Sequence, residues 1–180
     1  MPSTTGFNDS YSGVILLAVV VGVKFVLPTK LSNMTYLKEL KTTYSRKRVD
    51  DDLLNKPVET PEQVYDLFRY MQDETKEKVV CLHLNTQLEI LSYEVVAIGT
   101  AHNVLVDAVS IYRGAIVIGA SSIIVIHNHP SGSKNPSSED KFMAKEIAQI
   151  GKLHKIPLND FIIIGEDGYC SFEYECIALS

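Results

Sequence analysis

The chain has no sustained basic face, and this absence bears on the partners it can bind. It carries 17 Lys and Arg residues against 22 Asp and Glu residues, which gives a net charge of −5. The main basic cluster, residues 41–48, is followed at once by Asp50, Asp51 and Asp52. Surfaces that bind duplex nucleic acid usually present a continuous array of Lys and Arg side chains. Nucleic acid is therefore not an expected partner.

Cysteine is also scarce. The three cysteines, Cys81, Cys170 and Cys176, include no Cys-x-x-Cys spacing. A chain of 180 residues with 46% apolar residues can form a core that needs no disulfide support. We therefore expect three reduced, structural cysteines, which suits a cytoplasmic location.

One apolar run stands near the N-terminus, but it is too short for a comfortable membrane span. Residues 14–27 form a run of 14 residues that includes Lys24, whereas a membrane helix needs about 20. A signal peptide is not indicated, because no Lys or Arg precedes Lys24 and no small-x-small cleavage site follows the run. Three interpretations of residues 1–33 remain. The segment is an extra strand or helix packed on the domain, or it associates weakly with membranes, or it is not part of the native product. We favour the last interpretation, with Met34 as the true start.

The remaining chain is expected to divide into a lead-in and one domain. Residues 34–59 are predicted to be helical and charged, because Leu37, Leu40 and Tyr44 are spaced as one helical face. Residues 60–180 are predicted to form one α/β domain, a mixed sheet flanked by helices. The expected elements are a helix from Thr60 to about Met71, strands at 78–84 and 88–98, a helix at 107–119, a strand at 123–127, a helix at 137–153, and a hairpin of 161–164 with 169–172.

The most informative segment is the apolar run 123–126, which ends in His127-Asn128-His129-Pro130. Side chains alternate along a strand, so His127 and His129 point to the same side. Pro130 ends the strand because it has no N–H to donate to a neighbouring strand. The loop that follows is rich in Ser, Gly, Asn and Pro. Two imidazoles on one side of a strand end are half of a zinc site.

A carboxylate that could complete the site stands at the start of the next helix. Ser137 and Asp140 have the spacing of a helix N-cap and its N3 partner, and that spacing alone favours an ordinary capping box. Together with the histidine pair it favours metal binding, because burying two imidazoles and a carboxylate without a metal is costly. A His/His/Asp set leaves one tetrahedral position open for water, as catalytic zinc sites do.

These motifs, His127-x-His129-Pro130 and Ser137-x-x-Asp140, resemble the RadC-type branch of the JAMM/MPN metalloprotease family. The resemblance extends from about Thr60 to the C-terminus, without the helix-hairpin-helix region of longer members. It implies a cytidine-deaminase-like architecture and one zinc per chain, bound by His127, His129 and Asp140. It also places the family's glutamate at Glu77, which lies between Lys76 and Lys78 and would otherwise be assigned as a solvated charge.

The resemblance implies a zinc-dependent metallopeptidase or isopeptidase, with Glu77 as general base and Ser137 steadying the oxyanion. The partner would be a protein or peptide substrate. Two other functions remain open at this stage: a DNA-repair or mobile-element accessory protein that acts by binding, and an interaction module that keeps only the fold.

Overall fold

The computed structural model describes residue 37 and residues 39–46, 56–99 and 106–173. The chain divides into two compact units, residues 1–49 and 50–180. In the first unit, the described residues form no helix or strand. The second unit contains the α/β domain. No helix of the described ranges combines the length and apolar character needed to cross a membrane.

A five-stranded mixed sheet forms the centre of the α/β domain. Its strands are β1 (Lys78–Leu84), β2 (Ile90–Ile98), β3 (Ser122–Asn128), β4 (Leu158–Gly165) and β5 (Gly168–Ser171). Their order across the sheet is β2-β1-β3-β4-β5. Strands β3 and β4 are parallel, and every other neighbouring pair is antiparallel.

Three α-helices cover the two faces of this sheet. They are α1 (Pro61–Phe68), which continues into a 3₁₀ turn (Arg69–Asp73), α2 (Ala108–Ile118) and α3 (Ser138–His154). Helices α2 and α3 pack in one hydrophobic cluster with alternate residues of β1, β3 and β4, and α1 packs in a second cluster with the intervening residues. Strands β1, β3 and β4 are therefore buried on both faces, which explains their nearly continuous apolar sequences.

The sheet order brings the beginning of β1 next to the end of β3. The two strands are antiparallel, and Val79 pairs with His127. Residues just before β1 therefore lie beside residues just after β3, and α3 begins after the loop that follows β3. Ligand sites in α/β proteins commonly lie beyond the carboxyl ends of strands, and this edge is such a position.

The predicted elements of residues 60–173 are confirmed with small shifts in their bounds. Thr60 and Gln63 form the expected capping box at α1. Helix α2 forms despite its β-branched residues, because Asp107 caps its start, Gly119 ends it in the left-handed region, and four of its side chains are buried.

Two predictions were wrong. Leu37, Leu40 and Tyr44 are 98%, 72% and 69% exposed, and the described residues around them are not helical. A short segment whose apolar face meets no surface has little to stabilise a helix. Residues 56–59 of the predicted lead-in are not helical either. The rest of the lead-in and the apolar run 14–27 lie outside the described residues.

The second correction concerns the cysteines. Cys170 is disulfide-bonded, whereas Cys81 is a free, buried thiol whose pKa is raised by burial. The prediction of three reduced cysteines is therefore wrong for Cys170, and the cytoplasmic location loses the support that was taken from it. Cysteine spacing in the sequence does not show which thiols the fold brings together.

A buried tyrosine links the two helices on the face of the sheet that carries α3. The Tyr112 hydroxyl donates a hydrogen bond to the Ile147 carbonyl at 3.0 Å. Replacing Tyr112 with Phe should lower the free energy of unfolding by about 1 kcal/mol, because that carbonyl loses its side-chain donor. The change is measured by urea unfolding. Tyr44→Phe, at an exposed position, is the control; equal stability of both variants would contradict this role of the hydroxyl.

Candidate metal centre

The two histidines at the end of β3 direct one ring nitrogen each toward a common point. His127 Nδ1 donates to the Lys78 carbonyl at 3.0 Å, and His129 Nδ1 donates to the Ser133 carbonyl at 2.8 Å. These bonds fix the tautomer and leave each Nε2 as a ligand atom. The ring centroids are 4.9 Å apart and the ring planes cross at 83°.

The capping box of α3 fixes the carboxylate that faces both rings. The Ser137 hydroxyl and backbone N–H donate to Asp140 Oδ2 at 2.6 and 2.8 Å, while Ser137 Oγ accepts from the Asp140 N–H at 3.0 Å. Asp140 Oδ1 lies 3.6 Å from His127 Nε2, and Oδ2 lies 3.3 Å from His129 Nε2. Asp140 is thus the N3 residue of the capping box, as the spacing predicts, and the same carboxylate is the candidate ligand.

The spacing of these three groups fits a metal ion. Their ligand atoms all lie within 4.8 Å of one another, and no other group of His, Cys, Asp and Glu in the described residues meets this criterion. Ligands about 2.1 Å from a tetrahedral zinc stand roughly 3.4 Å apart, close to the two separations measured here. The donor set of two nitrogens and one oxygen also suits zinc.

The environment favours the protonation states that a metal requires at His127 and Asp140, whereas at His129 a metal ion would have to displace a proton. Burial is the largest influence on His127 and lowers the pKa of its imidazole. The hydrogen bond with Asp140 raises the pKa of His129. Burial alone would raise the pKa of Asp140, but hydrogen bonds from His129 and Ser137 lower it. The Asp140 carboxylate is therefore ionised. A bound metal ion would take the place of the proton that lies between Asp140 and His129.

The three candidate ligands open onto a cavity of about 900 Å³ that Glu77 and Ser137 also line. Glu77 precedes β1 directly, and its negative charge contributes to the raised pKa of His129. Its backbone carbonyl accepts a hydrogen bond from Gly99 at 2.8 Å. The structure thus brings together all five residues singled out in the sequence. The wall of the cavity is completed by Val106, Ser131, Ser133, Asn135, Ser138, Glu139, Phe142, Met143 and Glu146.

Asn128, which sequence reasoning did not single out, is 1% exposed and lies between the two histidines. Its side chain accepts from the Lys78 N–H at 2.7 Å and donates to the Lys76 carbonyl at 3.2 Å. The only signal in the sequence was an amide within a buried strand, where an unpaired polar group is costly.

The loop that carries His129 rests on the turn between β4 and β5. His129 donates its N–H to the Ile164 carbonyl at 3.1 Å, and Glu166 donates to the Gly132 carbonyl at 2.8 Å. A Cβ atom on Gly165 would lie 2.5 Å from the Gly132 oxygen and 2.6 Å from the Lys134 nitrogen. Only glycine allows this approach of two backbones, a requirement that the sequence does not show.

Comparison of the sequence with known protein families agrees with this geometry. Residues 58–177 match the model of the RadC-like JAB domain family, so the chain is a member of that family.

Its relatives include the UPF0758 protein of Chlorobium chlorochromatii (strain CaD3), which is 40% identical over 111 residues, covering 59% of this chain and 50% of the relative. The UPF0758 protein of Methanosarcina mazei is 37% identical over 119 residues, covering 66% and 52%. That of Chlorobaculum parvum (strain DSM 263 / NCIMB 8327) is 43% identical over 111 residues, covering 59% and 50%. The chain spans about half the length of these curated relatives.

The contact between Gly165 and the histidine loop gives a prediction about metal affinity. Gly165→Ala should displace the loop and weaken zinc binding by about 10- to 100-fold, as loss of a group that supports a ligand typically does. Competition with a chelating dye measures the affinity.

Gly119→Ala is the matched control, because Gly119 has a φ of 69° with open space around it. It should lower the melting temperature through backbone strain without changing zinc affinity. Wild-type zinc affinity in Gly165→Ala would show that this contact does not position His129.

Proposed function

We propose that this chain is a zinc-dependent hydrolase, a metallopeptidase or isopeptidase that cleaves an amide bond. The single observation that carries the proposal is the convergence of His127 Nε2, His129 Nε2 and the Asp140 carboxylate at the wall of an open cavity. Three protein ligands beside accessible space are typical of catalytic zinc sites, whereas structural sites are closed by four.

His127, His129 and Asp140 would hold one zinc ion per chain. Bound there, zinc would supply Lewis-acid chemistry, lowering the pKa of a water molecule toward about 7 and polarising the substrate carbonyl. The carbonyl partners of the two Nδ1 atoms would keep both rings oriented.

Glu77 would act as general base. It would accept a proton from the attacking water and then deliver that proton to the leaving amine, a contribution of about 10²- to 10⁴-fold in rate. Its position supports this role, because it lines the same cavity as the three ligands and its charge acts on His129.

Ser137 would steady the oxyanion of the tetrahedral intermediate. Its hydroxyl lines the cavity but donates to Asp140 at 2.6 Å in this structure. The oxyanion role therefore requires the hydroxyl to rotate away from Asp140 when the substrate binds.

The charge of the cavity favours a peptide or protein substrate over a nucleic acid. Glu77, Glu139 and Glu146 line it beside Asp140, and its described lining contains no Lys or Arg. Carboxylates repel phosphate groups, and nucleic-acid binding depends on Lys and Arg contacts to them. The alternative of a DNA-repair or mobile-element accessory protein predicts salt-sensitive DNA binding, which we expect to be absent even at low ionic strength.

Zinc content and turnover should separate the roles of ligand and base. Wild-type protein should contain about one zinc per chain and cleave members of a pool of fluorescence-quenched peptides that includes Lys ε-amide linkages. His129→Ala should lose most of the zinc. Glu77→Gln should keep the zinc and lose at least about 100-fold in turnover, because only the proton acceptor is removed. Mass spectrometry and fluorescence measure the two quantities.

Lys145→Gln, an exposed change on α3 outside the cavity lining, is the control for charge and should retain both properties. Wild-type protein purified without chelator that contains no zinc would instead indicate an interaction module. Full zinc content in His129→Ala would contradict the ligand assignment.

A further inference from the structure

We propose that Asn128 is the positioning residue for the general base, holding the segment that carries Glu77 at a fixed distance from the metal ligands. This inference rests on the proposed function, because it assigns a role to Asn128 through Glu77. It adds a residue that does not line the cavity and therefore has no direct contact with the reacting atoms.

The ladder between β1 and β3 ends before it reaches Glu77. Val79 pairs with His127, and this is the last registered pair at this end of the two strands. Glu77 lies two residues further, where no backbone pairing with β3 continues. On its other side this segment is held next to β2, because the Glu77 carbonyl accepts from the Gly99 N–H at 2.8 Å. Its connection to β3 comes from side chains.

The Asn128 side chain supplies that connection on both sides of Glu77. Its Oδ1 accepts from the Lys78 N–H at 2.7 Å, and its Nδ2 donates to the Lys76 carbonyl at 3.2 Å. One amide group thus binds the residue before and the residue after the base. Asn128 lies 50 residues from Lys78 and 52 residues from Lys76 in the sequence, so this is a tertiary contact rather than a local turn.

The chemistry of the asparagine side chain suits this task. Its amide has one oxygen that accepts and one NH₂ that donates, so it can satisfy a backbone N–H and a backbone C=O together. Asp lacks the donor, and Leu lacks both groups at a similar size. The residue is 1% exposed, so water has little access to replace either bond.

The same short stretch of β3 also fixes a ligand. His127 Nδ1 donates to the Lys78 carbonyl at 3.0 Å, so Lys78 is bound through its N–H by Asn128 and through its C=O by His127. From the other side, Gly99 donates to the Glu77 carbonyl at 2.8 Å. The backbone around the base is therefore tied to both neighbouring strands, and a catalytic base is most effective when its position is fixed to within a fraction of an ångström.

The test uses the zinc-loaded 180-residue chain with Asn128→Leu or Asn128→Asp. Asn128→Leu should retain about one zinc per chain, lose hydrogen-exchange protection at the Lys78 amide by at least about 10-fold, and lower kcat by about 10- to 100-fold with KM within about 2-fold. Asn128→Asp keeps the acceptor for Lys78 and loses the donor to Lys76. The Asp variant should retain hydrogen-exchange protection at the Lys78 amide, and its kcat should fall less than that of the Leu variant. It replaces the Leu variant in the test if the Leu variant does not fold.

A double-mutant cycle distinguishes positioning of Glu77 from a general effect on the fold. If Asn128 acts through Glu77, the Asn128→Leu/Glu77→Gln protein should turn over no more slowly than Glu77→Gln alone. If the double variant instead loses turnover by the product of the two single-variant losses, the proposal is overturned. Unchanged hydrogen-exchange protection at the Lys78 amide in Asn128→Leu would also overturn it. Asn159→Leu is the matched control: Asn159 is a half-buried amide of β4 that donates to Ser122 Oγ at 2.9 Å. It should leave zinc content, Lys78 protection and kcat unchanged.

Failure of the proposed function has a different signature. If the zinc-loaded wild type cleaves no member of the peptide pool, the hydrolase assignment fails and the assigned role of Glu77 fails with it. Loss of Lys78 protection in Asn128→Leu would then still establish that Asn128 holds this segment, and retained protection would overturn the positioning itself.

Discussion

The site depends on one constraint, the fixing of the Asp140 carboxylate at the first turn of α3. Ser137 binds that carboxylate through its hydroxyl and its N–H, and the Asp140 N–H returns a bond to the same hydroxyl. A helix cap normally contributes only to helix stability. Here it also holds the ionised Asp140 carboxylate, a residue only 4% exposed, against two imidazoles. Removing this carboxylate from water is costly, and a bound divalent cation would offset that cost.

The sheet supplies the other half of the arrangement. Because β1 and β3 are antiparallel neighbours, the start of one strand lies beside the end of the other, and Glu77 reaches the histidines without a long loop. Because β3 and β4 are parallel, the chain must cross over between them, and it does so through α3, whose first turn contains Asp140. The two strand pairings therefore bring Glu77 and the three candidate ligands to one edge of the sheet.

Local patterns in the sequence were sufficient to predict that His127, His129 and Asp140 lie together. The alternation of side chains along 123–129 places both imidazoles on one side, and the Ser137/Asp140 spacing is a signature of a helix start. Non-local contacts were not predictable. The bonds of Asn128 to Lys76 and Lys78 and the approach of Gly165 to Gly132 join residues distant in sequence. The predicted helical face of Leu37, Leu40 and Tyr44 was wrong because spacing does not show whether a surface exists to cover it.

In the proposed metal centre, two imidazoles and one carboxylate of this chain hold a zinc ion, and one coordination position is left for solvent. X-ray absorption at the zinc edge, on protein loaded with one equivalent of zinc, tests it most directly. The spectrum should show two imidazole nitrogens and oxygen donors at about 2.0–2.2 Å from the zinc. A sulfur ligand at about 2.3 Å, or fewer than two imidazoles in the shell, would contradict it.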